Sequence, residues 1–148
     1  MPVIQSEIDV HGEEFAKNRE AMLAAVTSFR EIEQNCLNKA AAAKEKFDKR
    51  GQLLPRERLN LLLDPGAPFL ELSSLAGYKL HDDKDGTQAG GGIISGIGYI
   101  AGVRCLITAS NSAIKGGTIS PTGLKKTLRL QQIAAENKLP VVTLAESG

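Results

Sequence analysis

This sequence predicts an α/β fold, and three observations carry that reading. Two apolar runs, residues 93–100 and 103–109, flank Ala101-Gly102 as a short hairpin would. A stretch with helical spacing, residues 121–137, follows a glycine-rich loop. A third apolar run, residues 140–144, then returns to the sheet, so the order strand, strand, loop, helix, strand forms a ββα unit and the next strand.

Composition narrows the function classes. The 148 residues are 42% hydrophobic and 24% charged, the make-up of an ordinary soluble domain. A formal net charge of +1 and an aromatic content of 4% give no pull towards nucleic acid and few rings for stacking bases. Residues 1–15 are acidic without an apolar signal core, and no run reaches the roughly 20 apolar residues that cross a bilayer. The expectation is therefore a cytoplasmic protein with no membrane or nucleic-acid partner. Cys36 and Cys105 show neither a disulfide framework nor metal spacing, and read as small core residues.

Taken in order, residues 12–50 read as one long helix. Phe15, Met22, Phe29, Cys36 and Ala43 recur every seven residues, with Val26, Ala40 and Phe47 beside them, so one face is expected to be buried. Gly51 closes it, and Pro55 opens a short helix carrying Leu59, Leu62 and Leu63. Residues 64–68 force a turn, and 69–72 form a short strand. Residues 77–92 have the polar composition of an exposed, mobile connection. Gly96 and Gly98 weaken the regularity expected of the first hairpin strand. In the helix 121–137, Leu124, Leu128, Gln131 and Ala135 share one side, and residues 140–144 form a buried strand.

The loop at 110–120 organises the rest. Gly116 and Gly117 admit φ > 0 and allow a ligand close to the main chain. Ser120 before Pro121 reads as an N-cap and first helical residue, leaving free N–H groups and a partial positive charge where an anion is welcome. Lys115, Lys125 and Lys126 add charge there, which suits a phosphorylated ligand. A glycine turn with solvated lysines is the plain alternative.

Other motifs fail. Gly96-x-Gly98-x-x-Ala101 lies in a hairpin and opens no helix, so it lacks the context of a dinucleotide fingerprint. Lys115-Gly-Gly-Thr118 lacks the full phosphate-loop pattern. His11 and His81 are isolated, and no metal-ligand spacing occurs. Ser147 lacks a nucleophile elbow and a histidine partner, and Glu146 is one carboxylate without a second. A site built from backbone donors is what remains.

Gly91-Gly-Ile-Ile-Ser-Gly-Ile-Gly98, Ala109-Ser-Asn-Ser-Ala-Ile-Lys-Gly-Gly-Thr118, Leu124-Lys-Lys126, Arg129 and Glu146-Ser-Gly148 resemble the amino-terminal domain of the carboxyltransferase (β) subunits of biotin-dependent acyl-CoA carboxylases. Leu54-Pro-Arg-Glu-Arg58 and Leu63-Asp-Pro-Gly-Ala-Pro-Phe-Leu-Glu-Leu72 point to the methylcrotonoyl-CoA and geranyl-CoA branch. The resemblance implies a crotonase-like (ClpP/crotonase) ββα superhelix, here its amino-terminal portion, preceded by a long amphipathic helix. It divides the chain into a helical segment, 1–52, and the beginning of a carboxyltransferase domain, 53–148. Family members are several times longer, so the fragment alone is expected to be inactive.

The resemblance also implies the chemistry. Carboxybiotin arrives on the partner α subunit, a biotin carboxylase and biotin carrier, and its carboxyl group passes to a deprotonated acyl-CoA, with biotin as the base. Backbone N–H groups hold the enolate oxygen, and the β subunits assemble as homo-oligomers. Gly148, the catalytic residue of this reading, becomes the first residue of a Ser-Gly-Gly-Ala oxyanion loop, with Ser147 beside it. Lys115, Gly116, Gly117, Thr118 and Ser120 lie along the acyl-CoA, and no metal is implied. Methylcrotonoyl enzymes carry two tyrosines where this chain has Ile119-Ser120, a change that makes room for a longer acyl group such as geranyl. A crotonase-fold hydratase or isomerase, or a non-catalytic assembly domain, are the rival readings.

Overall fold

The computed structural model describes residues 6–80, 83–114, 116, 118 and 120–146. The chain divides into two compact units, one running to Ile32 and the other starting at Glu33.

Helix α1 spans Glu13–Ala41, with Glu13 and Glu14 in its first turn and Lys39 in its last, the charge order that the helix dipole favours. The single helix expected over 12–50 is broken at Ala42-Ala43, where Ala43 N–H donates to Ala40 O at 3.2 Å, and α2 (Lys44–Asp48) restarts beyond it. The break has a packing reason. It buries Phe47 to 6% exposure, about 2–3 kcal/mol of apolar transfer. It also leaves Lys44 2.9 Å from Asp48 and 2.8 Å from Glu57. The seven-residue stripe is not uniformly buried, since Met22 and Phe29 are exposed.

Helix α3 (Pro55–Leu62) begins with Pro55 at its first position, and Glu57 Oε2 accepts from the Leu54 N–H at 2.8 Å. Its Arg56 makes a two-pronged ion pair with Glu71 at 2.8 Å on each arm, tying the helix to strand β1 (Leu70–Glu71). Strands β2 (Ile93–Ile100) and β3 (Val103–Ser110) form the expected hairpin. Ala101 and Gly102 both have positive φ, the signature of a tight hairpin turn whose twist matches the strands. Asp64 holds that tip, accepting from the N–H groups of Ala101 and Gly102 at 2.7 Å each.

The sheet order is β1-β2-β3-β4, antiparallel except that β4 (Val141–Leu144) runs parallel to β3, with α4 (Pro121–Glu136) as the crossover. Leu59 of α3 packs with Ile94, Cys105, Ile107 and Ala109 on one face. Leu130 and Ala134 of α4 pack with Leu106 on the other.

Several expectations are corrected. Gly96 and Gly98 do not disturb β2. A Cβ on Gly96 would stand 2.5 Å from Leu70 O and from the Phe69 ring, so these glycines let β1 and its neighbours close on the strand. The buried side of α4 is Gly123, Lys126, Leu130 and Ala134, while Leu124 and Leu128 are half exposed, because the helix seats on its small residues and Leu130. Among the described residues strand β4 pairs with β3 alone, and it is not buried, since Val141 is exposed.

The stretch 77–92 is not an open loop either. Asp83 is 2% exposed and accepts from the N–H groups of Gln88 at 2.8 Å and Lys79 at 3.1 Å, folding the segment around its carboxylate. Ser74 donates to Glu33 and Cys36 Sγ lies 3.6 Å from Gly86 O, so this region is anchored to the end of α1. Burial pushes the half-buried Cys36 thiol up from its usual pKa.

Candidate functional site

Parallel pairing brings the ends of β3 and β4 side by side, with Ala109 opposite Leu144 as the last rung. The segments that follow both strands therefore leave the sheet at the same edge, the place where ligands meet open α/β sheets. One is the loop 110–120; the other starts at Ala145-Glu146.

The loop is shaped from below by glycines. A Cβ on Gly92 would stand 2.7 Å from Thr118 O, and one on Gly91 would stand 2.8 Å from Gly123 Cα, so the 91–92 bend touches both the loop and the first turn of α4. Both have positive φ, which glycine tolerates at no steric cost. Asn111 N–H donates to Gly92 O at 2.9 Å and closes the bend against the start of the loop. Asn111 Oδ1 is buried with no hydrogen-bond partner among the described residues, and Asn111 lines a cavity of about 110 Å³ that also reaches Arg56, Glu71 and Ser74.

Lys126 is placed otherwise than its sequence position implies. It is 6% exposed, and its ammonium donates to Ile93 O at 2.7 Å and Gly90 O at 3.2 Å. It braces the glycine bend from the sheet side and adds no charge for a ligand. Desolvation, with a smaller push from Arg56 against an opposing pull from Glu71, brings its pKa down to about 8. Lys125, by contrast, is exposed.

Ser120 is the N-cap, its Oγ accepting from Gly123 N–H at 3.0 Å ahead of Pro121. Its hydroxyl serves the helix, and the positive end of the sixteen-residue α4 faces the loop. Gly116 is exposed with φ +64, and among the described residues no atom lies within 4 Å of where its Cβ would stand. Thr118 is exposed on the same loop. Lys115, Gly117, Ser147 and Gly148 lie outside the described residues.

Sequence reasoning left Glu146 without a partner, and the structure supplies two side chains for it beyond the last rung. Glu146 Oε2 accepts from Ser112 Oγ at 2.7 Å and from Arg58 Nη1 at 3.0 Å, and the Glu146 N–H donates to Ser110 Oγ at 3.3 Å. The strand order β3, α4, β4 was the available signal, because it makes residues following the two strands neighbours. The carboxylate that looked unmatched is thus paired through its Oε2 with a serine and an arginine. Among the described residues no group of three or more His, Cys, Asp or Glu could hold a metal ion, and no helix is long and apolar enough to cross a membrane.

Comparison with known proteins agrees with this architecture. Residues 46–148 match the family model described as a carboxyl transferase domain. The crystal structure of the P. aeruginosa geranyl-CoA carboxylase β subunit is 81% identical, with a TM-score of 0.88, over 99% of this chain and 27% of that one. The mitochondrial methylcrotonoyl-CoA carboxylase β chain of Dictyostelium discoideum is 42% identical over 99% of this chain and 25% of its own length. The biotin-dependent 3-methylcrotonyl-coenzyme A carboxylase β1 subunit of Mycobacterium tuberculosis is 47% identical over 72% of this chain and 20% of its own length. The chain thus spans about a quarter of the length of the curated relatives it matches.

Proposed function

The chain belongs to the carboxyl transferase domain family, and from that premise we propose that it supplies the acyl-CoA grip in the β subunit of a biotin-dependent acyl-CoA carboxylase. Its fold is the amino-terminal portion of the crotonase-like ββα arrangement, with a long helix in front. The substrate of this reading is a branched unsaturated acyl-CoA, geranyl-CoA ahead of 3-methylcrotonoyl-CoA. One observation carries that order: identity is 81% to a geranyl-CoA carboxylase β subunit and 42% to a methylcrotonoyl-CoA carboxylase β chain, each over 99% of this chain.

In this reading the CoA lies along Lys115, Gly116, Gly117, Thr118 and Ser120. The open backbone at Gly116 and the positive end of α4 support that placement. The thioester reaches across the ends of β3 and β4 to Gly148, with Ser147 before it. There a backbone N–H holds the enolate oxygen that forms when the acyl carbon loses its proton. A fixed N–H dipole suits an oxygen whose charge develops during reaction, because it needs no reorganisation at that moment. No side chain of this chain is assigned the proton transfer, since Glu146 is committed to Arg58 and Ser112. Biotin, carried by a partner α subunit, supplies the activated carboxyl group when bound, and no residue here is assigned to hold it or a metal. The helical segment, 1–52, precedes the carboxyltransferase domain, 53–148, in this reading, while the family match starts slightly earlier, at residue 46. We place the assembled protein, a homo-oligomer of β subunits with its α partner, in the cytoplasm.

The test is carboxylation of geranyl-CoA by a full-length subunit containing this chain, with and without a biotinylated partner. Partner-dependent transfer is expected. Hydration or isomerisation of the acyl-CoA without biotin would replace this reading with the hydratase one, and saturable CoA binding separates either from a scaffold.

A further inference from the structure

The β3–β4 ladder ends at Ala109 and Leu144, so beyond that rung the sheet no longer sets the distance between the two emerging segments. Side chains take over there. The Glu146 carboxylate is reached from one direction by Ser112, on the loop leading to Gly116 and Thr118, and from another by Arg58 on α3. Its main chain is held as well, by Ser110 Oγ at the end of β3. With side-chain exposures of 31% for Arg58 and 23% for Glu146, the pair is largely shielded, where a charge-assisted bond is stronger than a neutral one. Glu146 also stands two residues before Gly148.

We propose that Arg58, Ser112 and Glu146 form a clamp that fixes the CoA-gripping loop against the segment carrying the oxyanion donor, with Glu146 as a positioning residue for carboxyl transfer. This rests on the carboxyltransferase reading. Its Oε2 accepts from both Ser112 and Arg58, and it is this shared oxygen that ties the two segments together. The donor at Gly148 must lie within hydrogen-bond reach of the enolate oxygen, while the loop at 110–118 places the thioester. A shift between the two segments therefore misaligns donor and substrate without loosening the substrate's own contacts.

The experiment uses the full-length subunit with its biotinylated partner and compares Glu146→Ala, Glu146→Gln, Ser112→Ala and the Ser112→Ala/Glu146→Ala double variant. Misplacement of a catalytic group by a fraction of an ångström to an ångström predicts a kcat loss of about tenfold to a hundredfold for Glu146→Ala, with KM for the acyl-CoA within about threefold of wild type. Glu146→Gln, which keeps an oxygen for Ser112 and drops the charge facing Arg58, should recover part of that loss. The double variant should lose less than the product of the single losses, because both remove the same contact. Should Glu146→Ala fail to fold, Ser112→Ala and Glu146→Gln carry the comparison. Unchanged kcat per folded subunit in the variants, a change confined to KM, or effects that simply multiply would overturn the clamp. A wild type that carboxylates no acyl-CoA sinks the carboxyltransferase reading and the clamp with it, whereas an active wild type matched by its variants sinks the clamp alone.

Discussion

Replacing Gly91 with alanine tests how tightly the glycine bend is seated against α4. The new Cβ would stand 2.8 Å from Gly123 Cα and 3.0 Å from Gly123 N, both backbone atoms that no rotamer change can move. Backbone at φ +67 adds about 1–2 kcal/mol of strain for a residue with a Cβ. Relief by sliding the bend away is opposed by Lys126, which holds the carbonyls on either side of it at 3.2 and 2.7 Å. Relief by moving α4 instead disturbs the Ser120 cap, worth about 1 kcal/mol. The sum is a loss of about 2–4 kcal/mol, large beside the stability of an ordinary domain. Urea unfolding followed by circular dichroism measures it, with Gly66→Ala as the control. Gly66 has φ +76 and no atom within 4 Å of its Cβ position, so that variant carries strain alone. If Gly91→Ala costs no more than Gly66→Ala, the close backbone contact is not what places the start of α4, and the account of the bend is wrong.

Lys126 has a pKa of about 8 in the folded protein, below the ordinary lysine value of about 10.4. Between those values the unfolded chain binds more protons than the folded one, so stability should rise with pH through that window, by up to about 3 kcal/mol. Lys126→Met should abolish the rise and, by orphaning two carbonyls, weaken the fold at neutral pH; urea unfolding at pH 7 and pH 10 of both proteins checks this, and identical pH slopes would contradict it. Gly116→Val should fill the space left for a ligand and reduce CoA affinity more than Lys115→Ala. Removing the lysine takes away one charge, worth on the order of 1 kcal/mol or less where solvent screens it and mainly at low salt. Calorimetric titration of CoA into both variants gives the order, and the reverse order would replace the backbone account with simple charge attraction.

Local chemistry made much of this architecture legible. Ala101-Gly102 marks a hairpin by its φ requirements, Ser120-Pro121 marks a helix start, and Pro55 marks another; each is a property of one or two residues and needs no tertiary context. Partner choice was harder to read. Lys126 carries the same charge as Lys125 in sequence, and only the packing of α4 on the glycine bend turns it inwards. Asp83 sits in a polar run that any composition rule assigns to solvent, yet two local N–H groups let it fold that run around itself. Leu124 and Leu128 outweigh Gly123 and Ala134 on any hydrophobicity scale, but close backbone approach favours the small residues. Glu146 looked solitary because both its side-chain partners lie far off in sequence, at separations of 34 and 88 residues.

Carboxyl transfer itself provides the sharpest measurement: the kcat/KM of the full-length subunit with its biotinylated partner on geranyl-CoA and on 3-methylcrotonoyl-CoA, side by side. The account predicts partner-dependent carboxylation of both or of geranyl-CoA alone, with geranyl-CoA the better substrate. No transfer to either acyl-CoA, in an assembly shown to carry biotin, would contradict the function; transfer favouring 3-methylcrotonoyl-CoA would contradict the substrate assignment.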